Sequence, residues 1–147
     1  MSSRLDYASV APEGRQALVR LKSYIEKCSI ESKLRFLIEI RISQINGCAF
    51  CVDRHCEEAR AVGETQQRLD NLVVWHESPF FDARERAALE WAESVTLLAK
   101  TGVPDGVYEE ALEHFSEKEL VDLNFIVINM NSLNRLGVTF RKKPEAR

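Results

Sequence analysis

Three of the chain's four cysteines lie within nine residues, together with one of its three histidines. The stretch reads CAFCVDRHC, and its members are Cys48, Cys51, His55 and Cys56. Thiolates and imidazoles bind metal ions, and two neighbouring thiols can also carry redox chemistry by forming a disulfide. A third interpretation is that the cysteines are small apolar residues of the core.

The spacing of these residues favours redox chemistry. On an α-helix, with about 100° between residues, Cys48, Cys51 and His55 fall within about 60° of one another. A helix that begins near Cys48 places this thiol where the backbone N–H groups and the helix dipole favour a thiolate. His55 follows Cys51 by one turn and can accept its proton. One thiolate could therefore attack an oxidised substrate while the other closes a disulfide.

Zinc binding and core filling are the competing interpretations. A structural zinc ion needs four convergent ligands, which separate elements commonly supply. Cys56 points away from the stripe on the predicted helix, and His76 and His114 have no second ligand motif beside them. We therefore predict no metal ion, and we expect Cys28 and Cys56 to be structural.

The elements that position this stripe are predicted to be helices. Apolar residues recur at helical spacing almost throughout, and no segment alternates convincingly with period two. We predict an all-α fold of about seven helices, over residues 12–28, 30–45, 48–63, 65–76, 82–102, 104–114 and 116–135. Asp82 with Glu85, and Ser116 with Glu119, have the spacing of capping boxes. The last helix is apolar nearly all round, so the fold or another subunit must cover it on several sides.

Length and composition bound the class of protein. The 147 residues fit one domain, residues 1–147, and the balance of 45% hydrophobic and 29% charged residues is that of a globular chain. A net charge of −3 makes nucleic-acid binding unexpected. No apolar run is long enough for a membrane span or a signal peptide, which predicts a cytoplasmic protein. In that reducing compartment, close cysteines are more often catalytic or metal-binding than a static bridge.

Two long segments resemble the AhpD-like branch of the carboxymuconolactone decarboxylase family. They read IRISQINGCAFCVDRHCEEARAVGETQQRL and VWHESPFFDARERAALEWAESVT, and the C-terminal VDLNFIVINMNSLNRLGVTFRKKP resembles the family's closing helix. The resemblance spans roughly residues 5–144. It implies an all-α fold whose subunits associate through their helices, as homo-oligomeric trimers or hexamers. It also implies alkylhydroperoxidase or disulfide-reductase activity.

The resemblance assigns roles to the stripe. Cys51 would be the peroxidatic thiol, Cys48 its resolving partner and the point of electron entry, and His55 the proton acceptor. No cofactor is expected; the partners would be a hydroperoxide substrate and an external dithiol or lipoyl-protein reductant. True decarboxylases of the superfamily lack the cysteine pair, which argues against lactone decarboxylation here.

Two positions depart from the family pattern. AhpD-type proteins usually place a glutamate twelve residues before the first cysteine, as the far end of a proton relay, and this chain has Phe36 there. Glu39, one turn later, is the candidate replacement, although an exposed helix charge would have the same spacing. The best-known members have His or Tyr at the position of Phe50, which cannot relay protons. A drier pocket would raise the pKa of a buried cysteine and slow its chemistry.

Two other functions fit the same residues. The chain could be a non-enzymatic helical oligomer that senses redox state through its cysteine pair, or an enzyme of the decarboxylase type. Outside the stripe, Trp75 and Trp91 occupy apolar helical positions and are predicted to be core. Asn134 and Arg135 match the family's closing pair, and we expect them to bond at a helix junction or a subunit interface.

Overall fold

The chain is all-helical in the computed structural model, which describes residues 2–146. Met1 and Arg147, the ends of the predicted domain, lie outside the described residues. The helices are α1 (Tyr7–Val10), α2 (Pro12–Ile25), α3 (Ser32–Ile45), α4 (Ala49–Ala61), α5 (Gln66–Asn71), α6 (Ala83–Thr96), α7 (Leu98–Thr101), α8 (Asp105–His114) and α9 (Glu117–Thr139). A 3₁₀ turn, Leu72–Val74, follows α5, and the described residues contain no β-strand.

Helix α3 is the centre of the fold and packs against α4, α6 and α9. Its side chains enter two apolar clusters on different faces. Leu34 and Ile38 join the cluster built with α2, α6, α8 and α9, whereas Leu37 and Ile40 join the cluster around Trp75. Because both faces are covered, Glu39 on the same helix is carried into the interior and is only 3% exposed.

The helix signals in the sequence are largely confirmed. Both capping boxes form, with Asp82 and Glu85 beginning α6, and Ser116 and Glu119 beginning α9. Gly63, the expected end of the third predicted helix, has a φ of +86°, a conformation that glycine adopts without strain.

Three predicted boundaries are wrong, and α1 was not predicted. The helix predicted for residues 65–76 ends at Asn71, where a 3₁₀ turn with two β-branched residues follows. This turn brings Trp75 into the core, where its Nε1 donates to Glu93 Oε1 at 2.6 Å. The helix predicted for residues 82–102 breaks after Thr96, and α7 is a separate helix. The first predicted helix ends at Ile25 rather than at residue 28.

Helix α9 is covered on several sides but not on all. Its buried side chains face α2, α3, α6 and α8, as an almost wholly apolar helix requires. Val121, Phe125 and Ile128 are 52%, 37% and 44% exposed on the remaining side. Over residues 2–146, no helix has the length and apolar character that crossing a bilayer would require.

Candidate functional site

The cysteine pair stands at the tip of the hairpin that α3 and α4 form. Gly47 ends the turn between the helices with a φ of +67°, and Cys48 is the N-cap residue of α4. The Cys48 backbone N–H donates to the Ser43 carbonyl at 2.9 Å, which holds the turn against the end of α3. The pair therefore lies where the unpaired N–H groups of α4 are directed.

Side-chain amides fix this turn to α9. The Asn46 amide donates to the side-chain oxygens of Asn131 and Asn134 at 3.0 and 2.9 Å. Asn134 in turn donates to the Ser43 hydroxyl at 3.0 Å, and it is 1% exposed. The prediction that Asn134 bonds at a helix junction is confirmed, whereas Arg135 bonds Asn131 of its own helix and its wider role stays a prediction.

The sulfur atoms of Cys48 and Cys51 are at bonding distance, and their Cα atoms are 5.4 Å apart. That separation lies inside the range that disulfides span without backbone movement. Both residues are buried, at 2% and 5% exposure. The spacing therefore brings the two thiols together, as the sequence predicts for a redox pair.

Helix α9 passes directly over the two sulfur atoms at Gly137. A Cβ atom on this residue would lie 3.0 Å from Cys48 Sγ and 3.7 Å from Cys51 Sγ. Glycine is therefore needed for the close approach of α9, and any larger residue would displace the pair or the helix.

His55 lies one turn after Cys51, and two carboxylates approach its Nδ1 atom. Glu58 Oε2 is 2.8 Å from Nδ1, and Glu39 Oε2 is 3.5 Å from the same atom. Thus Glu39 lies beside the histidine, while the shorter contact belongs to Glu58, three residues after His55 on α4. Because Nδ1 is engaged, Nε2 is the ring nitrogen available to exchange a proton with a group in the cavity.

The two carboxyl groups differ in their ionisation. The hydrogen bond with His55 lowers the pKa of Glu58 to about 2, so this carboxylate is charged at neutral pH. Burial raises the pKa of Glu39 above its usual value, which favours the neutral acid. A charged Glu58 that accepts a hydrogen bond from Nδ1–H favours the tautomer with a lone pair on Nε2, as a base requires.

Cys51, His55 and Glu39 line one cavity of about 90 Å³. Among the described residues, its lining includes one carboxylate, that of Glu39, and four cationic side chains: Arg15, Lys22, Arg54 and Lys142. Such an excess of positive charge stabilises a thiolate relative to a thiol. The cavity is therefore small, contains a thiol and a candidate base, and is electrostatically suited to an anionic sulfur.

Cys48 contributes to a different opening of the surface. It lines a surface groove together with Gly47, Val52, Cys56 and Arg60, and Cys51 is not part of that lining. Cys56 is half-buried and packs against the apolar cluster around Trp75, and burial raises the pKa of its thiol. Cys28 packs against the other apolar cluster, so both cysteines have the structural surroundings predicted for them.

The two phenylalanines that depart from the family pattern are both close to the site. The ring centroid of Phe36 is 6.3 Å from that of His55. Phe50 lines the cavity, and the Lys142 ammonium lies 4.3 Å from its ring centroid. Neither phenylalanine can carry a proton, but Phe50 holds a cation beside the cavity through its aromatic face.

Three site residues were missed from sequence alone. Glu58 follows His55 at the i+3 spacing that brings helical side chains together, so its signal was present. Asn129 lines the cavity and is the one polar residue within the run 125–130 of α9, and this interruption is the signal that could have found it. Lys142 comes from the segment after α9, whose return to the site no local pattern indicates.

The tryptophan predictions are confirmed, because Trp75 and Trp91 are 3% and 8% exposed. Across residues 2–146, no group of three or more His, Cys, Asp or Glu side chains has an arrangement that could hold a metal ion. His76 and His114 instead lie 3.4 Å from single glutamates of their own surroundings.

Comparison with known proteins gives consistent matches. Residues 12–94 match the model of the carboxymuconolactone decarboxylase family. The uncharacterized protein YdfG of Bacillus subtilis (strain 168) is 44% identical over 138 residues, which cover 94% of this chain and 94% of that protein.

Solved structures share the same architecture. A protein of unknown function from Agrobacterium tumefaciens, provisionally named the antioxidant defence protein AhpD, superposes with a TM-score of 0.97 and is 38% identical, over 99% of this chain and all of that chain. The debrominase Bmp8 has a TM-score of 0.83 and is 21% identical, over 94% of this chain and 74% of that chain. The second likeness shows a shared fold alone.

Proposed function

This chain belongs to the carboxymuconolactone decarboxylase family, in its AhpD-like branch, and from that premise we propose that it is a thiol-dependent hydroperoxide reductase. The observation that carries the proposal is the Cys48–Cys51 pair with its sulfur atoms at bonding distance, one of them sharing a small cavity with His55. The pair supplies two electrons, and the histidine supplies a proton acceptor.

The cycle begins with a thiolate. His55 takes the proton of Cys51, and the Cys51 thiolate attacks the terminal oxygen of the hydroperoxide. An S–O bond forms while the O–O bond breaks, so two electrons pass from sulfur to the leaving alkoxide, which takes the proton from the His55 imidazolium and departs as an alcohol. The charged Glu58 stabilises the imidazolium in the interval, and Glu39 is the predicted relay group beside the same nitrogen.

The second half of the cycle restores the thiols. The Cys48 thiolate attacks the Cys51 sulfenic acid, and a disulfide forms as water leaves. An external dithiol, either a protein or a lipoyl group, then reduces the disulfide by thiol–disulfide exchange. The sum is one hydroperoxide and one dithiol converted to an alcohol, water and one external disulfide, and no resident cofactor takes part.

The proposal is tested by following tert-butyl hydroperoxide consumption with dithiothreitol as the reductant. Cys51→Ser should show no turnover above background, Cys48→Ser should lose the disulfide step, and His55→Ala should turn over roughly 100-fold or more slowly. Cys28→Ser, which changes a free thiol that lines neither the cavity nor the groove, is the matched control and should behave as wild type. Unchanged turnover in Cys51→Ser would refute the assignment.

The alternatives predict different results. Negligible wild-type turnover, combined with a change in association when the pair is oxidised, would favour a redox-sensing oligomer. Consumption of a carboxymuconolactone would favour the decarboxylase. Self-association as a trimer or hexamer is part of the proposal and is supported by the exposed apolar side of α9, formed by Val121, Phe125 and Ile128. Analytical ultracentrifugation measures it directly.

A further inference from the structure

Two buried oxygen atoms at the cavity have no hydrogen-bond partner among the described residues. They are Glu39 Oε2 and Asn129 Oδ1, and their residues are 3% and 1% exposed. Both residues line the cavity that contains Cys51 and His55. A buried polar atom without a partner costs free energy, so two of them in one cavity indicate an occupant that forms hydrogen bonds.

The chemistry of Asn129 narrows the occupant. A side-chain amide offers an acceptor oxygen and N–H donors on neighbouring atoms. A hydroperoxide group, R–O–O–H, has the complementary pair: the terminal O–H donates, and the oxygen attached to carbon accepts. The Glu39 carboxyl adds a second polar contact, and the raised pKa of that carboxyl limits the negative charge beside the Cys51 sulfur.

We propose that Asn129 is a catalytic residue that holds the hydroperoxide group against Cys51. Its Oδ1 accepts from the terminal O–H, and its Nδ2 donates to the oxygen attached to carbon. When the Cys51 thiolate breaks the O–O bond, negative charge develops on that second oxygen, and the amide N–H stabilises it until His55 delivers the proton. The inference rests on the proposed function, since it concerns binding of that reaction's substrate.

The chain supplies a matched control on the same helix. Asn124 also has a buried side-chain oxygen without a described partner, but it does not line the cavity. Asn129→Leu and Asn124→Leu therefore make the same chemical change on α9, once inside the site and once outside it. Asn129→Asp keeps the acceptor oxygens and the shape while removing the N–H donors.

The experiment measures two half-reactions of each protein. The first is the single-turnover oxidation of the reduced protein by tert-butyl hydroperoxide, and the second is the reduction of its disulfide by dithiothreitol. Asn129→Leu and Asn129→Asp should lower the second-order rate constant for oxidation roughly 10- to 100-fold, the range for a hydrogen bond to a charged group. Both should leave the rate of disulfide reduction within about twofold of wild type, and Asn124→Leu should change neither rate.

Each outcome decides the proposal. Equal loss of both half-reactions in the Asn129 variants would mean a structural role and would overturn the proposal. An unchanged oxidation rate would also overturn it, because the amide would then bind ordered water only. If Asn129→Leu fails to fold, the isosteric Asn129→Asp carries the test. Failure of the proposed function has a different signature: wild type itself would not react with the hydroperoxide, while dithiothreitol would still reduce its disulfide.

Discussion

The substitution Gly137→Ala tests the closest contact in the site. The added methyl group would lie 3.0 Å from Cys48 Sγ, roughly 0.5 Å or more inside the separation of about 3.5–4.0 Å that non-bonded heavy atoms prefer. The neighbouring Cys51 Sγ at 3.7 Å is at ordinary contact distance, so the overlap falls on Cys48. The clash is therefore with one identified atom.

Two opposing effects set the magnitude. Alanine in place of glycine inside a helix stabilises by up to about 1 kcal/mol. Overpacking a close contact costs about 1–3 kcal/mol, which is the larger effect because α9 is also held at Asn134 and cannot easily withdraw. We expect Gly137→Ala to lower the free energy of unfolding by about 1 kcal/mol, or roughly 2–4 °C in Tm for a chain of this size.

A double-mutant cycle isolates the contact. Urea unfolding is measured for wild type, Gly137→Ala, Cys48→Ala and the double variant, so the contribution of the disulfide cancels within each cysteine background. Without the Cys48 sulfur, Gly137→Ala should become neutral or stabilising, giving a coupling of about 1–2 kcal/mol. Gly106→Ala, at a helical glycine with open space around it, is the matched control and should be neutral or stabilising. Zero coupling would refute the described approach of α9 to the sulfur pair.

Three further predictions concern the carboxylates and the remaining thiol. Glu39→Gln should slow hydroperoxide reduction without loss of stability. Because the pKa of Glu39 is raised in the folded state, wild type loses stability as pH rises above about 4.5, and the glutamine variant does not. Urea unfolding from pH 5 to 8 should increasingly favour the variant, and a constant difference would contradict this. Glu58→Gln should lower the free energy of unfolding by about 1 kcal/mol at pH 7. Since the pKa of Glu58 is lowered to about 2 in the folded state, its contribution to stability is present above about pH 4.5 and vanishes as pH falls towards 2. A variant equal to wild type at pH 7 would show that the contact with His55 contributes nothing. Cys56 should react slowly with iodoacetamide at pH 7 because burial raises the pKa of its thiol, and mass spectrometry of the alkylated chain should show modification of Cys56 only at higher pH.

Local patterns predicted much of this molecule, because they depend on neighbours in the sequence. Spacings of three residues define the capping boxes at Asp82 and Ser116, and α6 and α9 begin at these boxes. Spacings of three and four residues likewise define the stripe of Cys48, Cys51 and His55. The position of Glu39 was identified as a candidate for the same reason, through its offset of one turn from Phe36.

Features that depend on packing between distant elements were not predictable. Whether Glu39 approaches His55 depends on how α3 and α4 pack, and the competing contact of Glu58 was overlooked. The approach of Gly137 and the burial of Asn129 depend on the course of α9, and these two residues follow Cys51 by 86 and 78 positions in the sequence. The end of α5 is set by the tertiary hydrogen bond of Trp75, which overrides the continuing apolar pattern.

The two cysteines line different openings of the surface, and this has a kinetic consequence. Cys51 lines the cavity and Cys48 lines the groove, so under the proposed function oxidant and reductant arrive through separate entrances. An alcohol still held in the cavity would not obstruct regeneration, and a high hydroperoxide concentration would not compete with the dithiol. The narrow cavity can restrict the oxidants, while the open groove can accept a bulky electron donor.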